Sequence, residues 1–262
     1  MTGMVGLVTM SGPMFWIGGT PGSGKSTIAR QLAHELDLPL HPIDAYTYDH
    51  VDRLGDLGPP LDEVLAQGPA AAADEFERVS ALRLPVVVDD VRAARVGEVP
   101  TLVEGPQLHP DAVAAWAPVA SIWLLTTTER TRAAREERLV DRDEAARRRV
   151  DLLVERDQVI GARLGAAAAR EGLPVVDVPT EDRWHGVTAA VRSAVIAALA
   201  GRPRLRPGPE LVARRLHEND VVYRQISAYE RQIGAALPPF PYACICGRSG
   251  CGDVEPASTA NY

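Results

Sequence analysis

The stretch FWIGGTPGSGKSTIAR, residues 15–30, decides how this chain is read. An apolar run, Met14 to Gly18, predicts a buried parallel strand, and residues 25–36, with Ile28, Leu32 and Leu36 on one face, predict a helix. Between them, Gly19-Thr20-Pro21-Gly22-Ser23-Gly24-Lys25-Ser26 fits the pattern G-x-x-x-x-G-K-[ST] in the strand–loop–helix setting that gives it meaning. Gly19, Gly22 and Gly24 let the backbone turn tightly and approach a polyphosphate, so that successive N–H groups, Ser23 included, point inward at a helix N-terminus. Lys25 is the only lysine in a chain with 28 basic residues. A compact ammonium on a flexible stem fits between β- and γ-phosphates where the planar fork of arginine does not. Ser26 supplies a hydroxyl for Mg²⁺, and Thr27 extends the nucleotide-holding set.

Outward from this stretch, strand-like and helix-like runs alternate. PLHPID ends a second short strand at Asp44, and PTLVEG ends another at Glu104. VASIWLLTT (119–127) and LPVVDVP (173–179) read as strands, the latter the last. Residues 45–75 read as a long irregular loop, with a helix starting near Asp74; an arginine-rich helical stretch spans 129–171 with a break near Asp141, and 183–200 form a helix. This alternation predicts an α/β fold: three α/β/α layers around a mostly parallel five-stranded sheet. GRPRLRPGP (201–209) reads as a linker between residues 1–200 and a C-terminal portion, 210–262, made of a helix over 210–234 and a cysteine-bearing tail.

Residues 14 to about 200 resemble the small P-loop kinases, a group that includes nucleoside and nucleotide kinases, gluconate and shikimate kinases and chloramphenicol phosphotransferase-like enzymes. The resemblance rests on GGTPGSGKST, on the Asp closing the second strand, and on LVEG preceding IWLLTTTERTRAAREERL. It implies a P-loop NTPase fold and transfer of a phosphoryl group from ATP, or GTP, to a hydroxyl of a nucleoside, sugar, metabolite or antibiotic, with Mg²⁺. Asp44 then activates or orients the acceptor hydroxyl; its other reading is a helix N-cap or a solvated loop acid. Glu104 is preferred to Asp89 as the Mg²⁺-associated acid, directly or through water, and that preference requires residues 84–95 to be helical. A lid near 135–149 would bring Arg138 and Arg142 onto the transferring group, although the acids interspersed there suit simple pairing on a solvated helix. Tyr46, Tyr48, Asp49, His50 and Arg53 are candidates for the acceptor pocket.

In the tail, Cys244, Cys246 and Cys251 suit zinc, with Asp253, His217 or another subunit supplying a fourth donor; free or redox-active thiols are the other reading. A seam of Val212, Leu216, Asn219, Tyr223, Ile226 and Ile233 suits docking onto the preceding layers or a homodimer through 210–234. The formal charge of −7 disfavours general nucleic-acid binding, and no apolar run approaches the roughly 18 residues of a membrane span. With no basic secretory start and few cysteines, the sequence reads as cytoplasmic. A nucleotide-controlled binding protein acting through its tail is the competing reading, discriminated by whether phosphate reaches a small acceptor.

Overall fold

The computed structural model describes residues 13–55, 57–137, 139, 143–180 and 184–262. In chain order the elements are β1 (Met14–Gly19), α1 (Lys25–Glu35), β2 (Leu40–Pro42), α2 (Thr47–Leu54), α3 (Leu61–Leu65), α4 (Pro69–Ala93) and β3 (Thr101–Glu104). Then follow α5 (Val113–Trp116), β4 (Ala120–Thr126), α6 (Thr128–Glu137), α7 (Glu144–Arg170), β5 (Val175–Val178), α8 (Trp184–Ala198), α9 (Pro209–Ile233), β6 (Phe240–Ala243) and β7 (Val254–Ala257). The first five strands form one all-parallel sheet in the order β2-β3-β1-β4-β5.

Side-chain alternation along the strands builds two cores, because successive residues of a strand face opposite sides of the sheet. Phe15 and Ile17 of β1, Leu102 of β3, and Ile122 and Leu124 of β4 pack with Ile28 and Leu32 of α1 and Val191 and Val195 of α8. Met14, Trp16 and Val103 face the other way, onto Leu84, Val87, Val88 and Val91 of α4. Trp123 packs there too, with Ile160 and Leu164 of α7. Helices therefore cover both faces, a three-layer α/β/α arrangement.

Several expectations change. Residues 84–90 look like a strand but belong to α4, as the preference for Glu104 required; burial of the valines against the sheet overrides their strand propensity. Asp89 is left on the surface, paired with Arg92 at 3.1 Å. The irregular loop expected over 45–75 contains α2 and α3, and α4 starts at Pro69 rather than near Asp74. Pro69 occupies the first helical position, where a missing N–H costs nothing. The linker at 201–209 is packed: Leu205 is buried in the α1/α8 core and its N–H donates to the Asp37 carbonyl at 2.9 Å.

Helix α9 docks onto the preceding layers, but of the predicted seam only Asn219 is buried. Leu211, Arg214, Arg215, Glu218, Asn219 and Val221 are buried, whereas Leu216 and Ile233 are exposed. At the outer edge of β2, Leu40 N–H donates to Glu218 at 2.8 Å and Leu40 C=O accepts from Arg214 at 2.8 Å. Side chains of α9 thus satisfy the backbone groups that an open sheet edge would otherwise expose. The remaining strands, β6 and β7, form an antiparallel hairpin beside α9. No helix among the described residues is long and apolar enough to cross a membrane.

Candidate active site

Three neighbouring strands of the sheet deliver the candidate residues to one edge. The glycine-rich loop follows β1, Asp44 follows β2 within a single 3-10 turn (Ile43–Tyr46), and Glu104 ends β3. The loop needs its glycines. A Cβ at Gly19, where φ is +139°, would lie 2.2 Å from the Leu124 carbonyl oxygen. One at Gly24, where φ is +76°, would overlap the Trp184 ring.

Within the loop, Lys25 is buried and its Nζ donates to the Thr20 carbonyl at 3.2 Å. Ser26 Oγ donates to Glu104 Oε2 at 3.0 Å, bringing together two residues 78 positions apart. Thr27 follows, exposed, in the first turn of α1. Ser23 is fully buried, yet its hydroxyl has no hydrogen-bond partner among the described residues. The Gly22 carbonyl accepts from Arg130 Nε at 3.3 Å; Arg130 also reaches the Pro179 carbonyl at 3.3 Å and lies 4.3 Å from the centre of the Trp184 ring.

Glu104 is buried, and that burial, with the Asp44 carboxylate nearby, pushes its pKa up to about 7, against the opposing pull of Lys25, the Ser26 hydrogen bond and Arg30. Asp44 does not cap a helix with its side chain; its Oδ1 accepts from Gln107 Nε2 at 2.7 Å.

Lys25 and Ser26 line a cavity of about 260 Å³ together with Arg135, Arg156 and Phe76. Asp157, itself buried, holds both arginines: Oδ2 accepts from Arg135 at 3.0 and 2.7 Å, and Oδ1 from Arg156 at 3.1 and 2.7 Å. Arg138 and Arg142, favoured from the sequence, lie outside the described residues. Arg135 and Arg156 stood in the same arginine-rich run. What singles them out is Asp157, one acid able to accept two guanidinium forks, and that requires knowing how α6 and α7 pack.

A second cavity, also about 260 Å³, shares Ser26 and Asp44 with the first and is walled by Glu104 of β3, Arg30 of α1, Gln225 and Ile226 of α9, and Phe240 of β6. Of the described residues in the expected acceptor loop, 45–75, only Ala45 reaches it. Tyr46, Tyr48, Asp49 and Arg53 instead line a separate groove of about 930 Å³ against α9, and do not share a cavity with Lys25. Tyr46 stacks between His41 and His50, with ring centres 4.2 and 5.8 Å away, and burial pushes its pKa up to about 12. His50 is buried, accepting from Arg83 Nε at Nδ1 (3.2 Å) and meeting Asp90 through Nε2 (2.9 Å), so the proton sits on Nε2. Arg53 pairs with Asp49 at 3.0 Å and Asp90 at 2.5 Å.

No family model matches the chain, and no curated protein matches it. Among solved structures, an uncharacterized protein from Eubacterium ventriosum is similar over 72% of this chain and 99% of its own, at 14% identity and a TM-score of 0.40.

Proposed function

We propose that this chain has a P-loop NTPase fold and moves the γ-phosphate of ATP to a hydroxyl of a small molecule. One observation carries the reading. Three adjacent parallel strands end in the glycine-rich loop with Lys25, in Glu104 bonded to Ser26, and in Asp44. This is the C-terminal sheet edge where open α/β folds bind ligands.

Each residue then has a role set by its surroundings. The loop amides and Lys25 hold the phosphates, and the unpartnered Ser23 hydroxyl suits a phosphate oxygen. Ser26 and Glu104 offer a hydroxyl and a carboxylate, the oxygen donors a hard cation takes. Bound there, Mg²⁺ would offset phosphate charge. Arg135 and Arg156, which line the same cavity as Lys25, supply positive charge for the equatorial oxygens, oriented in advance by Asp157. Asp44, with Oδ1 engaged by Gln107, has Oδ2 for the proton of an attacking hydroxyl. The acceptor oxygen bonds to phosphorus as the bridging O–P bond breaks, ADP leaves, and the proton passes to Asp44. The cavity beside Asp44 and Glu104, walled by α9 and β6, is the acceptor site.

The test is a screen of nucleosides, sugars and aminoglycoside-like compounds with γ-labelled ATP, scoring label on the acceptor above hydrolysis. Lys25→Met is expected to lower transfer to a positive acceptor by about 10³-fold. Equal transfer by wild type and Lys25→Met, or no transfer to any acceptor, would overturn the reading.

A further inference from the structure

We propose that Cys244, Cys246 and Cys251 bind a zinc ion that fastens the β6–β7 hairpin, and so fixes the β6 wall of the cavity beside Asp44. The three Sγ atoms all lie within 4.8 Å of one another. Two thiolates on one zinc, each about 2.3 Å from the metal, stand roughly 4 Å apart, so closure needs only a small contraction.

The chain between the strands is shaped to hold that cluster. Cys244 directly follows β6, and its N–H donates to the Asp253 carbonyl at 3.0 Å. Gly247 and Gly250 take φ of +72° and +67°, which fold Cys246 and Cys251 back toward Cys244. Arg248 Nε donates to Cys246 Sγ at 3.4 Å, placing a cation on a thiol that must lose its proton to bind metal. Asp253 Oδ2, 3.6 Å from Cys251 Sγ, is an adjacent oxygen for the fourth position.

The ion would also meet a structural need. The hairpin has two strands of four residues each, and β7 is mostly exposed. Such a pair has no core of its own and is marginal in water. Its loop is nevertheless tied to the sheet layers: Ser249 Oγ and Gly250 N–H both donate to the Asp37 carboxylate, the latter at 2.9 Å, and Gly208 N–H donates to the Gly247 carbonyl at 2.8 Å. A disulfide would use two of the three thiols and leave the third over; zinc uses all three, each giving up a proton to solvent. Thiolates select zinc over the hard cation suited to Ser26 and Glu104.

This inference stands on the tail alone and survives failure of the phosphotransfer reading. The full chain, stripped of metal under reducing conditions, is titrated with Co²⁺ and then Zn²⁺. We expect one Co²⁺ per chain, a thiolate-to-cobalt charge-transfer band that Zn²⁺ abolishes, and protection of all three thiols from an aromatic disulfide reagent. Cys246 is exposed, so Cys246→Ser should fold; it is expected to weaken Co²⁺ binding by about tenfold or more. Absence of the band at stoichiometric Co²⁺, or unchanged binding in both Cys246→Ser and Cys251→Ser, would overturn the proposal. So would three thiols that react equally fast with and without zinc.

Discussion

The two sides of β2 are held by different physics. On its inner side β2 pairs with β3 through a parallel ladder, and Leu40 packs into an apolar core of aliphatic side chains from α1 and α8. On its outer side no strand among the described residues pairs with it, and α9 meets it with Arg214, Arg215 and Glu218, all buried. Arg214 and Arg215 bond Glu218 at 2.8 and 2.6 Å; Arg215 also donates to the Leu38 and Ala33 carbonyls at 3.2 and 2.9 Å. An apolar contact tolerates a change of shape at the cost of a cavity. The charged one is all-or-none, because removing one member leaves its partners buried without compensation.

The largest test of that contrast is Glu218→Ala. It leaves two buried guanidinium groups without their counter-charge and the Leu40 N–H without its acceptor, at an expected cost of about 3–5 kcal/mol in denaturant unfolding. Burial raises the Glu218 pKa, but Arg215 and Arg214 more than offset this, so the folded value lies below the usual carboxylate range. A depressed pKa means stability present above the unfolded pKa and lost as pH falls through the folded one. The wild type should therefore lose this contribution in acid, and the cost of Glu218→Ala should shrink there. A variant as stable as wild type near neutrality would show that the docking is apolar after all.

Glu104 has the opposite sign. Its folded pKa, about 7, exceeds the ordinary 4.5, so the ligand-free protein binds an extra proton between these values and its stability falls as pH rises across that window. Above pH 7 the cost is fully present. Glu104→Gln keeps an acceptor for Ser26 and removes the charge. It is expected to stabilise the ligand-free protein by about 3 kcal/mol at pH 8 and by little at pH 4, while lowering phosphate transfer. Urea unfolding at the two pH values checks this; a gain of the same size at both would remove the buried charge as its cause.

The contrast also marks what could be read from the sequence. The loop from Gly19 to Ser26, the strand end at Glu104, the acid Asp44 just past β2, and the alternation that makes a parallel sheet carry local signatures: glycines at fixed spacing, apolar runs, acids at or just beyond strand ends. Val86 to Val88 were legible as helix only through the preference for Glu104 over Asp89, since their strand propensity points the other way. The α9 interface was not legible. An apolar seam points to Val212, Leu216 and Ile233, whereas the buried face uses Arg214 and Arg215, which donate to the Leu40, Leu38 and Ala33 carbonyls, and Glu218, which accepts from both arginines and from the Leu40 N–H. Arg135 and Arg156 were hidden for a related reason, because in a run of arginines only the fold says which ones meet Asp157.

Asn219 gives the smallest and most local test of how α9 carries the tail. The sequence places it in the seam suited to docking or to a homodimer. Its side-chain amide donates to the Ala243 carbonyl at 2.8 Å and accepts from the Ala243 N–H at 2.9 Å, as a neighbouring strand would. Both bonds are neutral and part-buried, so Asn219→Ala is expected to cost only about 1–2 kcal/mol, far less than loss of Glu218. Its effect should be confined to the hairpin: hydrogen exchange should quicken at Tyr242 to Cys244 while amides of β1 and β3 stay protected. If exchange quickened equally through the sheet, the hairpin would belong to the same cooperative unit as the layers beneath it, and the division between an apolar body and a polar-docked extension would fail.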